Sequence, residues 1–262
     1  MIILDIPEKL IRIAVLDVPG TDSSATPRVF LHGLGSSAID IFPEIIDRPS
    51  MHSARSVLID LPGFGHSTSP ENWSFSMEDQ ATIVVRVIDA LGLAQIDIIG
   101  HSMSGSISIA LTSRRPNMVH RLIVAEPNLD PGVGDLSVHI ARQTEIGFTS
   151  RGFDTLVAQI RRQATRGDLL ATRFLETVTR TTPAALHRSS VSLLADRDPT
   201  FREQFESLSM PRATITGDRT PPLDPPLADP AIVHYIVEDA GHVMMLDNPG
   251  GFANAIDRTL RT

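Results

Sequence analysis

Short apolar stretches alternate with longer stretches of mixed polarity along most of the chain. The first twenty residues alternate apolar and polar positions around the turn Pro7-Glu8-Lys9, which predicts an antiparallel strand pair with one buried face. Further β-rich stretches, separated by helical ones, lie at Arg28 to His32, Ser56 to Asp60, Gln95 to Ile99, Arg121 to Ala125, Arg212 to Thr216 and Ile232 to Val237. This rhythm predicts an α/β fold with a mostly parallel sheet and helices on both faces.

The pattern of strands is interrupted once, between residues 129 and 209. Within this segment, Phe153 to Ala164 and Leu169 to Val178 carry apolar residues at helical spacing and predict amphipathic helices. The sequence therefore predicts one α/β core formed by residues 1–128 and 210–262, with a helical cap inserted at 129–209.

The strongest chemical signal is the segment IDIIGHSMSGSISIAL, in which an apolar strand runs through Gly100 into a helix of small residues. A serine at such a sharp turn projects its hydroxyl above the sheet, so Ser102 is the candidate nucleophile. The following helix aims its amino end at Ser102, where its backbone donors and dipole favour a developing oxyanion.

These residues resemble the nucleophile elbow of the α/β-hydrolase superfamily, with Ser104 in the place of its last glycine. The resemblance covers nearly the whole chain, because further motifs appear in the expected order. One of them is Asp60-Leu61-Pro62-Gly63-Phe64-Gly65-His66-Ser67, which resembles a turn common in the superfamily. The loop His32-Gly33-Leu34-Gly35 is similar to its oxyanion loop. The resemblance implies that the backbone amides of Leu34 and Met103 bind the oxyanion. His32 itself is expected to brace the loop.

A second chemical group follows the last predicted strand, in HYIVEDAGHVMMLDNP. Its Gly-His loop resembles the position of the catalytic histidine in the superfamily, and Asn248-Pro249 then predicts the start of a helix. A serine hydroxyl needs a base to take its proton at neutral pH, and His242 is the best placed of the nine histidines.

The carboxylate that orients this histidine has several candidates. The superfamily usually places it after the seventh strand, where this chain has Thr220; Asp218 and Asp224 lie nearby, earlier and later than expected. Glu126 ends an apolar strand at the superfamily's alternative position, after the sixth strand. A buried carboxylate needs a partner, and a histidine that becomes cationic would supply one. Glu126 is therefore the preferred acid, with Asp218 as the alternative.

Composition excludes other chemistry. The chain has 23 Lys plus Arg against 31 Asp plus Glu, a net charge of -8, which argues against nucleic acid as a partner. It has no cysteine, so thiolate metal sites and a cysteine nucleophile are excluded. No metal, cofactor or membrane partner is predicted, and a cytoplasmic location is the expectation. The arginines of the predicted cap are interpreted as its solvated face.

The sequence thus predicts a cofactor-independent serine hydrolase that cleaves a small-molecule carboxylic ester or lactone through an acyl-enzyme on Ser102. Ser102 argues against dehalogenase and epoxide-hydrolase chemistry, which use a carboxylate nucleophile in this fold. Two other classes stay open, a ligand-binding protein on the same scaffold and a cofactor-free lyase or carbon-carbon hydrolase. The sequence leaves the natural substrate and the oligomeric state open.

Overall fold

A computed structural model describes residues 1–132 and 134–261 of the chain. Eight strands form one sheet, and they span Ile2–Ile6 (β1), Ile11–Val18 (β2), Arg28–Leu31 (β3), Ser56–Ile59 (β4), Ile96–His101 (β5), Val119–Ala125 (β6), Arg212–Gly217 (β7) and Val233–Val237 (β8). The order across the sheet is β1-β2-β4-β3-β5-β6-β7-β8. β1 and β2 pair antiparallel, β2 pairs antiparallel with β4, and all the other pairs are parallel. The predicted α/β fold with an amino-terminal strand pair is confirmed.

Twelve α-helices are present in the described residues. They span Ala38–Ile41 (α1), Pro43–Ile46 (α2), Met77–Ala90 (α3), Met103–Arg114 (α4), Asp135–Ala141 (α5), Glu145–Gly147 (α6), Phe153–Ala164 (α7), Leu169–Val178 (α8), Pro183–Leu194 (α9), Phe201–Ser207 (α10), Met244–Asp247 (α11) and Pro249–Arg261 (α12). No helix in this part of the chain combines the length and the apolar character that crossing a membrane requires.

The core lies on both faces of the sheet, as a parallel sheet between helices requires. Alternate residues of β5 point to opposite sides, so Ile98 belongs to one apolar cluster and Ile99 to the other. The first cluster includes residues of α3 and α4, and the second includes residues of α1, α2, α11 and α12. Burial of this central strand on both sides fixes its carboxyl end, where Ser102 follows.

Helices α5 to α10 occupy the chain between β6 and β7, where the strand pattern of the sequence stops. Side-chain N-caps define several of their starts, since Asp168 accepts the backbone N–H of Ala171 at 2.9 Å and Thr200 forms a capping box with Glu203. α5 packs on α9, and α7 on α8. We call residues 129–209 the helical insertion.

Candidate functional site

The turn between β5 and α4 holds Ser102 in a strained backbone conformation. β5 ends at His101, α4 begins at Met103, and Ser102 between them has φ 53° and ψ -120°. A residue other than glycine adopts positive φ only where the surrounding structure enforces it. Here a Cβ at Gly100 would collide with the backbone of Ser104, so the sharp turn depends on that glycine.

The loop after β3 lies directly against Ser102. A Cβ at Gly33 would come within 2.9 Å of His101 Nδ1 and 3.2 Å of Ser102 Cβ, so only glycine lets the loop approach this closely. Leu34 follows and lines the cavity beside Ser102, and Met103 is the first residue of α4. The two residues predicted to supply oxyanion donors therefore flank Ser102 from its loop side and its helix side.

His242 lies in the loop between β8 and α11 and contacts Ser102. Its Nε2 is 3.0 Å from Ser102 Oγ, which matches a hydrogen bond donated by the hydroxyl. His101 Nε2 donates to the backbone carbonyl of His242 at 2.8 Å and holds this loop in place. Burial lowers the pKa of His101 to about 3, so His101 stays neutral beside His242.

Glu126 follows β6 and approaches the other nitrogen of the same ring. Its Oε2 lies 3.5 Å from His242 Nδ1, and its Oε1 accepts the backbone N–H of Gly217 at 2.7 Å. The residue is 6% exposed and has φ 49°. Burial raises the pKa of Glu126, but the contact with His242 and the N–H of Gly217 outweigh burial and hold that pKa below its usual value. Glu126 is therefore a buried carboxylate with a specific contact for each of its two oxygens.

The alternative carboxylates have other surroundings. Asp218 accepts the backbone N–H groups of Asp239 at 3.0 Å and Ala240 at 3.1 Å, and it is exposed. These bonds lower its pKa. Asp224 lies in the proline-rich loop after β7 and lines the cavity. The structure pairs His242 with Glu126. Asp218 instead accepts hydrogen bonds from the turn that follows β8.

Ser102, His242 and Glu126 open into a cavity of about 820 Å³ between the sheet and the helical insertion. The helical insertion supplies the apolar walls of the cavity, through Ile160, Leu170, Phe174 and Leu193. Among the described residues, the lining contains five carboxylates (Glu126, Asp130, Asp135, Asp168 and Asp224) and two guanidinium groups (Arg173 and Arg202). Arg202 is engaged by Asp130 at 2.6 Å, and Arg173 by Glu176 at 3.4 Å. The side chains that line the cavity therefore carry a net negative charge.

Asn128 is a site residue that the sequence did not single out. Ser102 Oγ lies 3.4 Å from Asn128 Oδ1, and Ser106 Oγ donates to the backbone carbonyl of Asn128 at 2.8 Å. The only sequence signal was its position, two residues after Glu126 in the same turn. An asparagine at the end of a strand is ordinarily a turn residue, so composition alone gave no reason to select it.

An imidazole within reach of a hydroxyl can take its proton, and a carboxylate on the opposite ring nitrogen stabilises the resulting imidazolium. A family model described as the alpha/beta hydrolase fold matches residues 26–151. The order of the strands and the contacts among these three side chains agree with that match. The chain has the α/β-hydrolase fold. Within the described residues, no group of three His, Asp or Glu side chains could hold a metal ion.

Curated relatives of this α/β hydrolase are similar over part of the chain. A 2-hydroxy-6-oxononadienedioate/2-hydroxy-6-oxononatrienedioate hydrolase of Escherichia coli is 34% identical over 119 residues, which are 45% of this chain and 40% of the relative. A 2-hydroxymuconate semialdehyde hydrolase of Pseudomonas putida is 32% identical over 98 residues, covering 37% of this chain and 35% of the relative. The matched segments thus span well under half of these relatives.

Solved structures match along almost the whole chain. An N-acyl homoserine lactonase, AidH, complexed with N-butanoyl homoserine, is 25% identical with a TM-score of 0.74, covering 95% of this chain and 93% of that one. A thermophilic esterase from Thermogutta terrifontis is 19% identical with a TM-score of 0.78, covering 96% of this chain and 93% of that one. The latter likeness shows the shared fold alone.

Proposed function

We propose that this α/β hydrolase cleaves carboxylic esters or lactones through an acyl-enzyme on Ser102. The observation that carries the proposal is the continuous line of contacts from Ser102 Oγ to His242 Nε2 at 3.0 Å and from His242 Nδ1 to Glu126 Oε2 at 3.5 Å. The hydroxyl at one end of this line faces the cavity, and the buried carboxylate lies at the other.

In the first half of the reaction, Ser102 Oγ attacks the carbonyl carbon while His242 Nε2 takes the hydroxyl proton. The carbonyl oxygen becomes an oxyanion, for which the backbone N–H groups of Leu34 and Met103 are the proposed donors. Collapse of this intermediate breaks the bond to the alcohol oxygen, and His242 returns its proton to that oxygen. The products are a free alcohol and an ester of Ser102; a lactone would leave its alcohol attached to the acyl group.

In the second half, water replaces the alcohol. His242 takes a proton from the water as its oxygen attacks the acyl carbon, and the acid leaves when Ser102 Oγ recovers that proton. Glu126 stays ionised throughout. Its carboxylate accepts a hydrogen bond from the His242 Nδ1–H without taking the proton, and its charge stabilises the imidazolium. Its lowered pKa is consistent with this role.

The cavity supports an uncharged substrate with a sizeable apolar part. Its volume of about 820 Å³ lies within the roughly 300–1,000 Å³ of small-molecule sites and exceeds what an acetate ester needs. The excess of carboxylates in the lining repels an anion. Both arginines of the lining are already paired with a carboxylate of the protein.

Hydrolysis of a carbon-carbon bond is the second candidate, and the similarity to the two curated hydrolases favours it. The first of these acts, by its name, on a dicarboxylate. The acidic lining of this cavity argues against such a substrate here. A ligand-binding protein without turnover does not require an activated hydroxyl. A cofactor-free lyase would use Ser102 and His242 as acid and base without acylation, so neither alternative requires the nucleophilic hydroxyl that these contacts favour. The cytoplasmic location stays a prediction.

The test is turnover of p-nitrophenyl butyrate and of 2-hydroxymuconate semialdehyde by the wild type and by Ser102→Ala. We expect the ester to be the better substrate of the wild type and Ser102→Ala to lose at least about 10³-fold in kcat. Preferential turnover of the semialdehyde would favour the second candidate. Absence of any turnover, together with unaltered ligand affinity in Ser102→Ala, would favour a binding protein.

A further inference from the structure

Ser104 stands where the superfamily pattern has the last glycine of the elbow, and the structure gives its side chain a specific contact. Ser104 is fully buried on the first turn of α4, and its hydroxyl donates to the backbone carbonyl of His32. α4 begins directly after Ser102, whereas His32 begins the loop that carries Leu34. This single hydrogen bond therefore joins the elbow to the loop on its other side.

His32 passes this restraint on to Leu34. The His32 ring is buried, its Nε2 accepts the backbone N–H of Leu61 at 3.0 Å, and its Nδ1 donates to the carbonyl of Gly33 at 2.7 Å. Burial lowers the pKa of His32, which keeps the ring neutral and preserves both bonds. Ser36 N–H donates to the same Gly33 carbonyl at 3.2 Å.

These bonds determine where the Leu34 N–H points. In a trans peptide the C=O and the N–H lie in the same plane and point in opposite directions, so a fixed Gly33 carbonyl also fixes the Leu34 N–H. The carbonyl of His32, held by Ser104, fixes the preceding peptide in the same way. A donor contributes fully to an oxyanion only when its direction is set before the reaction.

We infer that Ser104 is a positioning residue that aims the Leu34 N–H at the oxyanion through its hydrogen bond to His32. The inference rests on the proposed acyl-enzyme function and deepens it, because it names a residue outside the line from Ser102 to Glu126. The serine at this elbow position thus contributes a restraint that the glycine of the superfamily pattern could not supply.

The experiment compares Ser104→Ala with Ser108→Ala in the full chain. Ser108 is equally buried one turn further along α4, and its hydroxyl has no hydrogen-bond partner among the described residues, so its variant controls for loss of a hydroxyl alone. The measurements are kcat and KM for p-nitrophenyl butyrate and the Ki of butylboronic acid. This boronic acid forms a tetrahedral adduct with an active-site serine and places an oxygen at the oxyanion position.

We expect Ser104→Ala to lose about tenfold in kcat, less than the 10²–10³-fold lost when an oxyanion donor is deleted. KM should stay within about twofold, and the boronic acid Ki should rise in parallel with the loss of kcat. Ser108→Ala should match the wild type. If Ser104→Ala keeps kcat and the boronic acid Ki within twofold of wild type, the inference is wrong and Ser104 only fills space.

Two further variants keep the outcomes distinct. Ser104→Cys retains most of the volume and replaces a strong donor with a weak one, so it carries the same test if Ser104→Ala does not fold. Its kcat should lie between those of Ser104→Ala and the wild type, and a wild-type value would contradict the inference. Ser102→Ala separates the two claims, because turnover by that variant would overturn the proposed function, whatever Ser104 does.

Discussion

Glu126 reaches His242 from the end of β6, and the end of β7 supports it from the side. Glu126 Oε2 lies 3.5 Å from His242 Nδ1, while its Oε1 accepts the N–H of Gly217, the last residue of β7. Thr220 stands where the superfamily usually has its acid, and its side chain also donates to Glu126 and lowers the pKa of that carboxyl. The end of β7 and the loop that follows it therefore supply hydrogen-bond donors, whereas the carboxylate itself comes from the end of β6.

Replacement of Glu126 by glutamine should lower kcat at least about 100-fold, because an amide neither stabilises the imidazolium nor selects its tautomer. The matched control is Asp218→Asn, which removes a carboxylate directly after β7 that accepts backbone N–H groups from the turn after β8. Its kcat should stay within about threefold of wild type. Steady-state kinetics on p-nitrophenyl butyrate checks both, and the opposite ranking would make Asp218 the acid.

Asn128→Leu should lower kcat/KM about tenfold, since the amide oxygen lies 3.4 Å from Ser102 Oγ and provides a polar contact at the reacting atom. Asn128→Asp should lower kcat/KM further, because a carboxylate beside Ser102 repels the oxyanion electrostatically. The same ester assay measures both. Equal activity in Asn128→Leu and the wild type would reduce Asn128 to a turn residue.

Stability should depend on pH through His101. Burial lowers the pKa of His101 to about 3, whereas the unfolded chain binds a proton near its usual pKa of about 6.5. The unfolded state therefore binds more protons as the pH falls from 6.5 toward 3, and stability that is complete above pH 6.5 is progressively lost. Between pH 7 and pH 4.5, protonation of this single group in the unfolded chain lowers the free energy of unfolding by on the order of 3 kcal/mol.

Urea unfolding at these two pH values tests the contribution. His101→Gln should lose less stability between pH 7 and pH 4.5 than the wild type, even if it is less stable at both. His139→Gln, at an exposed position of α5, serves as the control and should behave as the wild type does. An identical loss in His101→Gln and the wild type would show that His101 does not carry this dependence.

The cavity should discriminate against anionic esters. Mono-p-nitrophenyl glutarate resembles p-nitrophenyl butyrate in size but carries a carboxylate, and we expect its kcat/KM to be at least about tenfold lower. Added salt should reduce the difference by screening the lining carboxylates. A preference for the glutarate ester would show that Arg173 or Arg202 binds the substrate and would reopen the dicarboxylate candidate.

Most of the sheet was predictable because its signals are local. A strand covered on both faces needs a nearly continuous apolar run, and the glycines of the elbow are required by close backbone approach, so β5 and Ser102 were evident in the sequence. The sequence pattern predicts that β5 ends at Ile99, whereas the strand continues to His101. Pairing with β6, through His101 and Ala125, extends it, and a single-strand pattern does not contain that information.

The polar environment of the site was less accessible from the sequence. Glu126 could be preferred because a carboxylate at the end of an apolar strand needs a partner, but the donors from Gly217 and Thr220 come from a segment about ninety residues away. Asn128 and Ser104 likewise contact residues that are distant from them in the sequence. The shape of the cavity depends on how the helical insertion packs, which helical periodicity leaves undetermined.

Mass spectrometry of the trapped acyl-enzyme is the direct test of Ser102 as the nucleophile. The protein is mixed with p-nitrophenyl butyrate, quenched in acid within the first turnovers and digested, and the site of butyrylation is mapped. We expect a butyryl group on the peptide that contains Ser102, its absence in Ser102→Ala, and its slower formation in Glu126→Gln. Turnover of the ester without butyrylated Ser102, or with the label on another residue, would contradict the mechanism.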